Sequence, residues 1–436
     1  MVKFMGKYKP SYYNIEIKKD HNGRTLVANL ATLTIAWLNP EYDSFLSANC
    51  SEQNPITQKL ASKGFLVDYE CDEIQETINN RNKYINGNVS NTLVVLIAPT
   101  LSCNYSCKYC FENDVAGGRI ITETEAQRIV DFIKSAVRKK PNCNHLHLLW
   151  FGGEPLLAYD RIIMIGSALL KWCTYNEIDF TSNITTNGLF LSRDRAQTMH
   201  DLCHLKTAQI TVDGNAKYYA EIKQTNEANF YRVVENIKNI NDIFKVLVRV
   251  NVNKQNEQET ENLIKYLLVD QDLNGKIELY LAPIVDYHAN NVTSLYTQTE
   301  FLDFYERLHK KQELAQLNFV AQNYLPHIRL AHCDAMARDY RCIGPDLKLY
   351  RCEHYIGRKE YSIGDIIEDI DPNNDVDKYF LSNLPEKCNS CKYVRICQGG
   401  CQANRYLDHI PVDCDHMRDL IIWQINNLLK AKAQQS

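Results

Sequence analysis

The stretch Cys103-Asn104-Tyr105-Ser106-Cys107-Lys108-Tyr109-Cys110-Phe111 places three thiols on one short segment in the spacing C-x3-C-x2-C. It follows an apolar, strand-like run, Thr92–Ala98. Three thiolates on one loop can hold three irons of a [4Fe–4S] cube, which leaves the fourth iron open to a substrate or cofactor. The alternative is zinc, but a closed tetrahedral site wants a fourth ligand. Cys143 and His145 are the next Cys and His in the chain, more than thirty residues downstream.

The run before the loop is the first of six. Strands are expected at Thr92–Ala98, His145–Phe151, Asp179–Thr185, Thr207–Val212, Val246–Val252 and Ile277–Ala282. Helical periods fit between and after them at Thr122–Arg138, Tyr159–Tyr175, Ser192–Leu202, Phe230–Ile240, Gln258–Val269 and Thr297–Ala315. Thr122 with Glu125 makes a capping box. Six strand–helix repeats predict an α/β fold with a parallel sheet and right-handed crossovers. Six is short of the eight that close a standard barrel, so a partial (β/α)6 barrel of the TIM type is expected over residues 91–315. In such folds the reactive groups gather at the C-terminal ends of the strands, where the cysteine loop falls.

Further motifs follow in order. Phe151-Gly152-Gly153-Glu154-Pro155 comes after the second strand, and Ile184-Thr185-Thr186-Asn187-Gly188 and Thr211-Val212-Asp213-Gly214 end the third and fourth. Arg249 lies on the fifth strand. With the cysteine loop and Tyr109 before its last Cys, these pieces resemble the radical S-adenosylmethionine (SAM) superfamily. The resemblance implies that Cys103, Cys107 and Cys110 hold a [4Fe–4S] cluster and that SAM binds its open iron. It further implies that Tyr109, Gly152, Gly153, Glu154 and Asn187 line the SAM pocket, with Arg249 pairing with the SAM carboxylate. Asp213 is carried as a candidate catalytic residue. The implied chemistry is reductive cleavage of SAM to a 5′-deoxyadenosyl radical, fed by an electron donor of the flavodoxin or ferredoxin type.

Of the chain's 16 cysteines, eight lie between 333 and 414, in a segment with little secondary-structure rhythm. Short strands at best (Leu347–Tyr350) and two weakly apolar helices, near Asp375–Ser382 and Asp415–Ala431, are expected there. The run C-x2-C-x5-C-x3-C with a last Cys resembles the SPASM extension of radical SAM enzymes, which carries two auxiliary [4Fe–4S] clusters. By that resemblance Cys333, Cys342, Cys352 and Cys401 hold the first, and Cys388, Cys391, Cys397 and Cys414 the second, over a domain of residues 316–436. Two all-cysteine zinc sites are the alternative. Cys50, Cys71, Cys143, Cys173 and Cys203 have no ligand-like spacing and read as ordinary thiols.

Residues 1–90 form a third expected unit, a winged helix. Strands Tyr12–Lys18 and Thr25–Leu30 join through Asp20-His21-Asn22-Gly23, a hairpin signal. Asn29 is placed as the cap of a short helix ending before Pro40, and Asn54-Pro55 opens a second helix closing at Lys63-Gly64. A strand at Phe65–Tyr69 and a helix at Asp72–Tyr84 complete it. Ten Lys/Arg and ten Asp/Glu make this segment neutral, which argues against DNA. The whole chain sums to 49 − 53 = −4, no basis for general nucleic-acid affinity. With no apolar run near the roughly 18 residues of a membrane span and no signal-peptide core in MVKFMGKYKP, a cytoplasmic protein is expected.

SPASM enzymes mostly act on peptides. An N-terminal winged helix resembles the leader-recognition element of ribosomal-peptide maturases, which implies a precursor-peptide substrate gripped by β-augmentation and a thioether or carbon–carbon crosslink as product. The anaerobic sulfatase-maturating enzymes, which oxidise Cys or Ser to formylglycine, are the second family weighed. There Glu353, after Cys352, stands where an Asp acts as general base. A non-catalytic leader-binding partner is the third reading, and the intact loop cysteines speak against it.

Overall fold

A computed structural model describes residues 7–87, 90–286, 293–322, 324–406 and 409–434. The chain divides into two compact units, one of residues 1–89, 323–338 and 381–436 and one of 90–322 and 339–380. This grouping differs from the three consecutive domains expected from the sequence. It joins the N-terminal segment to part of the cysteine-rich one.

The first unit opens with β1 (Tyr8–Pro10), β2 (Asn14–Lys19), β3 (Thr25–Asn29) and β4 (Thr34–Leu38). Helices α1 (Asp43–Ser47) and α2 (Pro55–Ser62), strand β5 (Leu66–Asp68) and helix α3 (Glu73–Ile85) follow. Strands β2, β3 and β4 make an antiparallel sheet, and β1 pairs with β5. Asn54 and Asp72 cap α2 and α3, accepting from Ile56 N and Gln75 N.

The helix expected between Asn29 and Pro40 is instead strand β4. Buried Asn29 accepts through Oδ1 from Ala31 N and Thr32 N, at 2.9 and 3.0 Å, and so caps a tight turn. Thr-Ile-Ala-Trp-Leu then offers the β-branched and aromatic side chains a strand favours, and every residue of β4 pairs with β3.

The second unit begins with β6 (Thr92–Ile97), α4 (Glu123–Lys139), β7 (His145–Trp150), α5 (Tyr159–Tyr175), β8 (Asp179–Thr186) and α6 (Arg193–Cys203). Then come β9 (Leu205–Thr211), α7 (Ala216–Ile222), α8 (Glu227–Ile240), β10 (Lys245–Val252), α9 (Glu257–Lys265), β11 (Glu278–Pro283) and α10 (Gln298–His309). All six expected strands are present and parallel, each beside its predecessor. The Thr122–Glu125 capping box forms at α4.

Short strands extend this sheet; the sequence pointed to one of them, at Leu347–Tyr350, and not to the others. At one end β12 (Phe319–Ala321) runs parallel to β11. At the other, β13 (Arg341–Ile343) runs parallel to β6 and continues antiparallel through β14 (Lys348–Tyr350), β15 (Gly364–Asp365) and β16 (Asp369–Ile370). Strands β12 and β16 are the two ends of the eleven-stranded order, so the sheet is open. Its faces differ. Leu146, Leu148 and Trp150 of β7 and Phe180, Ser182 and Ile184 of β8 are buried, while His147, Thr181 and Asn183 alternate with them and stay partly exposed. His147 Nδ1 lies 2.7 Å from Thr181 Oγ1. The period of two thus sets His147, Thr181 and Asn183 on one face and the buried side chains on the other.

Helix α11 (Asp375–Phe380) belongs to the second unit; α12 (Val394–Cys397), α13 (Gln402–Tyr406) and α14 (Cys414–Gln434) belong to the first. Tyr13, Ile15, Ala28 and Leu30 of the N-terminal segment share one hydrophobic core with Leu384, Cys388, Val394, Ile396, Ile421 and Ile425. Among the described residues no helix is long and apolar enough to cross a membrane.

Leu30 is fully buried in that core. Leu30→Ala is expected to cost about 2–5 kcal/mol and to raise hydrogen exchange in β2, β3 and α14 together. Exchange rising in the N-terminal segment alone would show that the core is not shared.

Candidate active site

The cysteine loop leaves β6 and is fastened at three places. The first is backbone against backbone. Gly153 N donates to Thr100 O at 3.3 Å, and Glu154 N to Ser102 O at 2.9 Å. A Cβ on Gly152 would stand 2.2 Å from Thr100 O, and one on Gly153 2.5 and 2.6 Å from Leu101 O and Ser102 O. Gly152 also has φ +118°, a value that L side chains rarely adopt. The glycine pair therefore lets the turn after β7 lie flat against the segment that carries Cys103.

The second fastening is Glu154, whose side chain is wholly buried. Its Oε1 accepts from Leu156 N at 3.0 Å and Thr186 Oγ1 at 2.7 Å, and its Oε2 from Asn187 N at 2.8 Å. Burial raises its pKa, and these hydrogen bonds oppose the rise. Asn187 Nδ2 is paired with Asn104 Oδ1 at 2.9 Å, so the end of β8 reaches the residue after Cys103.

The third is a buried ion pair below the loop. Lys223 Nζ lies 3.1 Å from Asp213 Oδ2, with side chains 2% and 1% exposed. Tyr109 donates its hydroxyl to the same Oδ2, and Lys223 Nζ donates to Tyr109 Oη at 3.0 Å. Burial opposes the lysine's charge, but Asp213 and Tyr109 outweigh it and its pKa lies well above the ordinary value. Backbone bonds from Lys108 N to Ile222 O and from Ser106 N to Lys223 O tie the loop to the end of α7.

Asp213 Oδ1 accepts from Asn251 N at 2.8 Å, and Asn251 Oδ1 takes Arg249 Nε at 2.8 Å. Arg249 also lies over the Tyr280 ring, whose hydroxyl donates to Gln209 Oε1. A polar chain thus runs across the sheet from the cysteine loop to Arg249.

Cys103, Cys107 and Cys110 are partly buried and within electrostatic reach of one another. Burial pushes Cys103 up to about 11 and Cys110 up to about 12. Thiols so shielded ionise readily only beside a cation. Asn104 Oδ1 accepts from Asn187 Nδ2, while the buried Asn104 Nδ2 has no hydrogen-bond partner among the described residues. Among the described residues no three His, Cys, Asp or Glu side chains converge tightly enough for a single metal ion. A [4Fe–4S] cube places iron at alternate corners, and three thiols on one loop match three of its four irons.

Residues 97–267 match the family described as "Radical SAM superfamily". The chain carries a radical SAM domain. A "Cysteine-type anaerobic sulfatase-maturating enzyme" of Clostridium novyi (strain NT) is 24% identical over 342 residues, 72% of this chain and 89% of that one. Among solved structures, anSMEcpe with bound AdoMet and Kp18Cys peptide overlays with a TM-score of 0.59 at 16% identity, covering 79% of this chain and 99% of its own. Streptococcus suis SuiB bound to precursor peptide SuiA overlays with a TM-score of 0.54, also at 16% identity, covering 93% and 98%. The overlays show the fold, and the family match implies a [4Fe–4S] cluster and SAM as cofactors.

Beside the radical SAM loop lies a segment whose place the sequence did not reveal. His354 packs edge-on against Phe111, with centroids 4.4 Å apart, and Arg358 donates to Phe111 O at 3.0 Å and pairs with Asp114. Glu353 heads this segment, partly exposed, in the 3-10 turn Glu353–Tyr355. Cys342, on β13 opposite Tyr350, and Cys352 are buried in the same unit. Cys333 and Cys401 belong to the other unit. There Cys388, Cys391, Cys397 and Cys414 lie within electrostatic reach of one another. Lys223 was also missed, because a single Lys ending a polar helix carries no signal until the fold sets it beside Asp213.

Lys223→Met leaves Asp213 buried without its cation and is expected to cost on the order of 3–5 kcal/mol. Urea unfolding checks this. The double variant Lys223→Met/Asp213→Asn should recover much of the loss, and a purely additive double variant would contradict the pairing.

Proposed function

We propose that the chain is a peptide maturase that crosslinks a ribosomally made precursor through a thioether or carbon–carbon bond. One observation carries the reading: a three-stranded antiparallel sheet at the N-terminus shares its core with the cysteine-rich segment. In support, the overlay with SuiB spans 93% of this chain and that with anSMEcpe 79%. The winged-helix reading of residues 1–90 makes this sheet the leader-binding element. Among the described residues β4 pairs only with β3, so an extended leader has an edge on which to add a strand.

A [4Fe–4S] cluster with bound SAM supplies the 5′-deoxyadenosyl radical. The chain's residues position it. Cys103, Cys107 and Cys110 hold the cluster; Tyr109, Gly152 and Gly153 shape the SAM pocket by fixing the loop. Glu154 and Asn187 receive the SAM ammonium end and Arg249 its carboxylate, held in place by Asn251 and Tyr280. Asp213 acts on catalysis by anchoring Tyr109, and Glu353 is the candidate base beside Phe111. Cys333, Cys342, Cys352 and Cys401 would hold one auxiliary [4Fe–4S] cluster and Cys388, Cys391, Cys397 and Cys414 a second, which would supply acceptors for the electron left after bond formation. A flavodoxin or ferredoxin supplies the first electron.

A second reading, formylglycine formation on a sulfatase, is favoured by the 24% identity to the Clostridium novyi enzyme. Anaerobic incubation with SAM and dithionite separates the readings. Formation of 5′-deoxyadenosine, abolished in Cys110→Ala, together with loss of two hydrogens from a leader-bearing peptide encoded beside the gene, is the expected result. Oxidation of a sulfatase peptide, with the neighbouring peptides unchanged, would install the second reading instead.

A further inference from the structure

Helix α3 carries a buried charge that its surroundings do not balance. Arg81 is 1% exposed. One of its terminal nitrogens donates to Ser382 O at 3.0 Å, and its buried Nε has no hydrogen-bond partner. Among the described residues no carboxylate forms an ion pair with it. The ionisable groups within electrostatic reach of it are another cation, Arg405, and the Cys388 thiol. Burial lowers its pKa to about 10, Arg405 adds to that and Cys388 opposes it, so the guanidinium stays charged at neutral pH. An isolated buried cation next to a like charge costs several kcal/mol unless an anion stands close.

Two further cations stand by the cysteines of this unit. Lys387 hydrogen-bonds Cys414, and Arg329 lies within electrostatic reach of Cys333 and Cys397. The path from Arg81 to these thiols is packed. One turn before it on α3, Thr77 bonds the hydroxyl of Tyr13 and a terminal nitrogen of Arg395, two residues before Cys397. Tyr13 and Cys388 share the core described above.

We infer that Arg81 is the charge partner of an anionic iron–sulfur cluster held by Cys388, Cys391, Cys397 and Cys414, and that the N-terminal segment thereby tunes that cluster's reduction potential. The inference rests on the auxiliary-cluster reading above. Four thiolates around a cube make a net anion, and a buried cation beside it stabilises the reduced, more negative state and raises the potential. The N-terminal segment then has a second task besides binding peptide: it supplies a fixed charge to an electron-transfer centre assembled from the other end of the chain.

The test uses full-length protein reconstituted without oxygen, in a Cys103→Ala/Cys107→Ala/Cys110→Ala parent so that only auxiliary clusters contribute. Iron is counted, and redox titrations are followed by electron paramagnetic resonance, in the parent, Arg81→Gln and Arg81→Lys. The expected result is one signal, the one lost in Cys391→Ala, moving to a more negative potential in Arg81→Gln and staying near the parent value in Arg81→Lys, with iron unchanged. Iron lost from Arg81→Gln but kept by Arg81→Lys supports the charge role equally. An iron-replete Arg81→Gln with unshifted potentials overturns the inference, as does the same shift or the same iron loss in both variants. A parent without iron sinks the auxiliary-cluster reading itself, and the inference with it, before either variant is compared.

Discussion

The site depends on how closely two stretches of backbone can approach. The turn after β7 lies against Thr100–Ser102 at distances that leave no room for a side chain at Gly152 or Gly153. Everything else around the cysteine loop presumes that contact. Glu154 is buried because the turn carrying it is pressed inward, and only there can its carboxylate gather Thr186 and Asn187 from the neighbouring strand. The two glycines of the motif therefore serve the loop's own architecture, whatever they also allow a ligand to do. A carboxylate with three fixed donors costs little further reorganisation when it meets a cation, which is the advantage of a preorganised site.

Below the loop the same logic is electrostatic. Lys223, Asp213 and Tyr109 form a dry triad whose members are each costly alone and tolerable together. Its position makes Asp213 an anchor: both carboxylate oxygens are occupied, one by Tyr109 and Lys223 and the other by Asn251 N. A general base needs a free oxygen facing the reacting atoms. Glu353 is partly exposed at the head of the segment whose His354 packs on Phe111.

Much of the second unit was legible because long parallel strands and amphipathic helices write their periods over six or more residues. Helix α5 matches its expected bounds, and the capping box at α4 formed as read. Strands β12 and β13 have three residues each, too few to show a period, and β13 is fixed by pairing with β6 far away in the chain. Asn29 was read as a helix cap because an Asn side chain offers the same acceptor to a turn and to a helix; the β-favouring Thr34–Leu38 decided between them. The joining of the N-terminal sheet to the cysteine-rich segment left no local trace, since Leu30 and Ile421 look like any core residues until they meet. At the site, the cysteines and the glycine turn announced themselves by spacing. Lys223, Asn104, His354 and Arg358 act through contacts between distant segments and were invisible.

The proposed chemistry needs three clamped thiolates that leave one iron corner for SAM. The direct measurement is the electron paramagnetic resonance spectrum of the reduced Cys103–Cys110 cluster, recorded without oxygen before and after SAM is added. SAM is expected to change the signal, and Cys107→Ala to abolish it. A signal from intact, reduced cluster that SAM leaves untouched would contradict that chemistry.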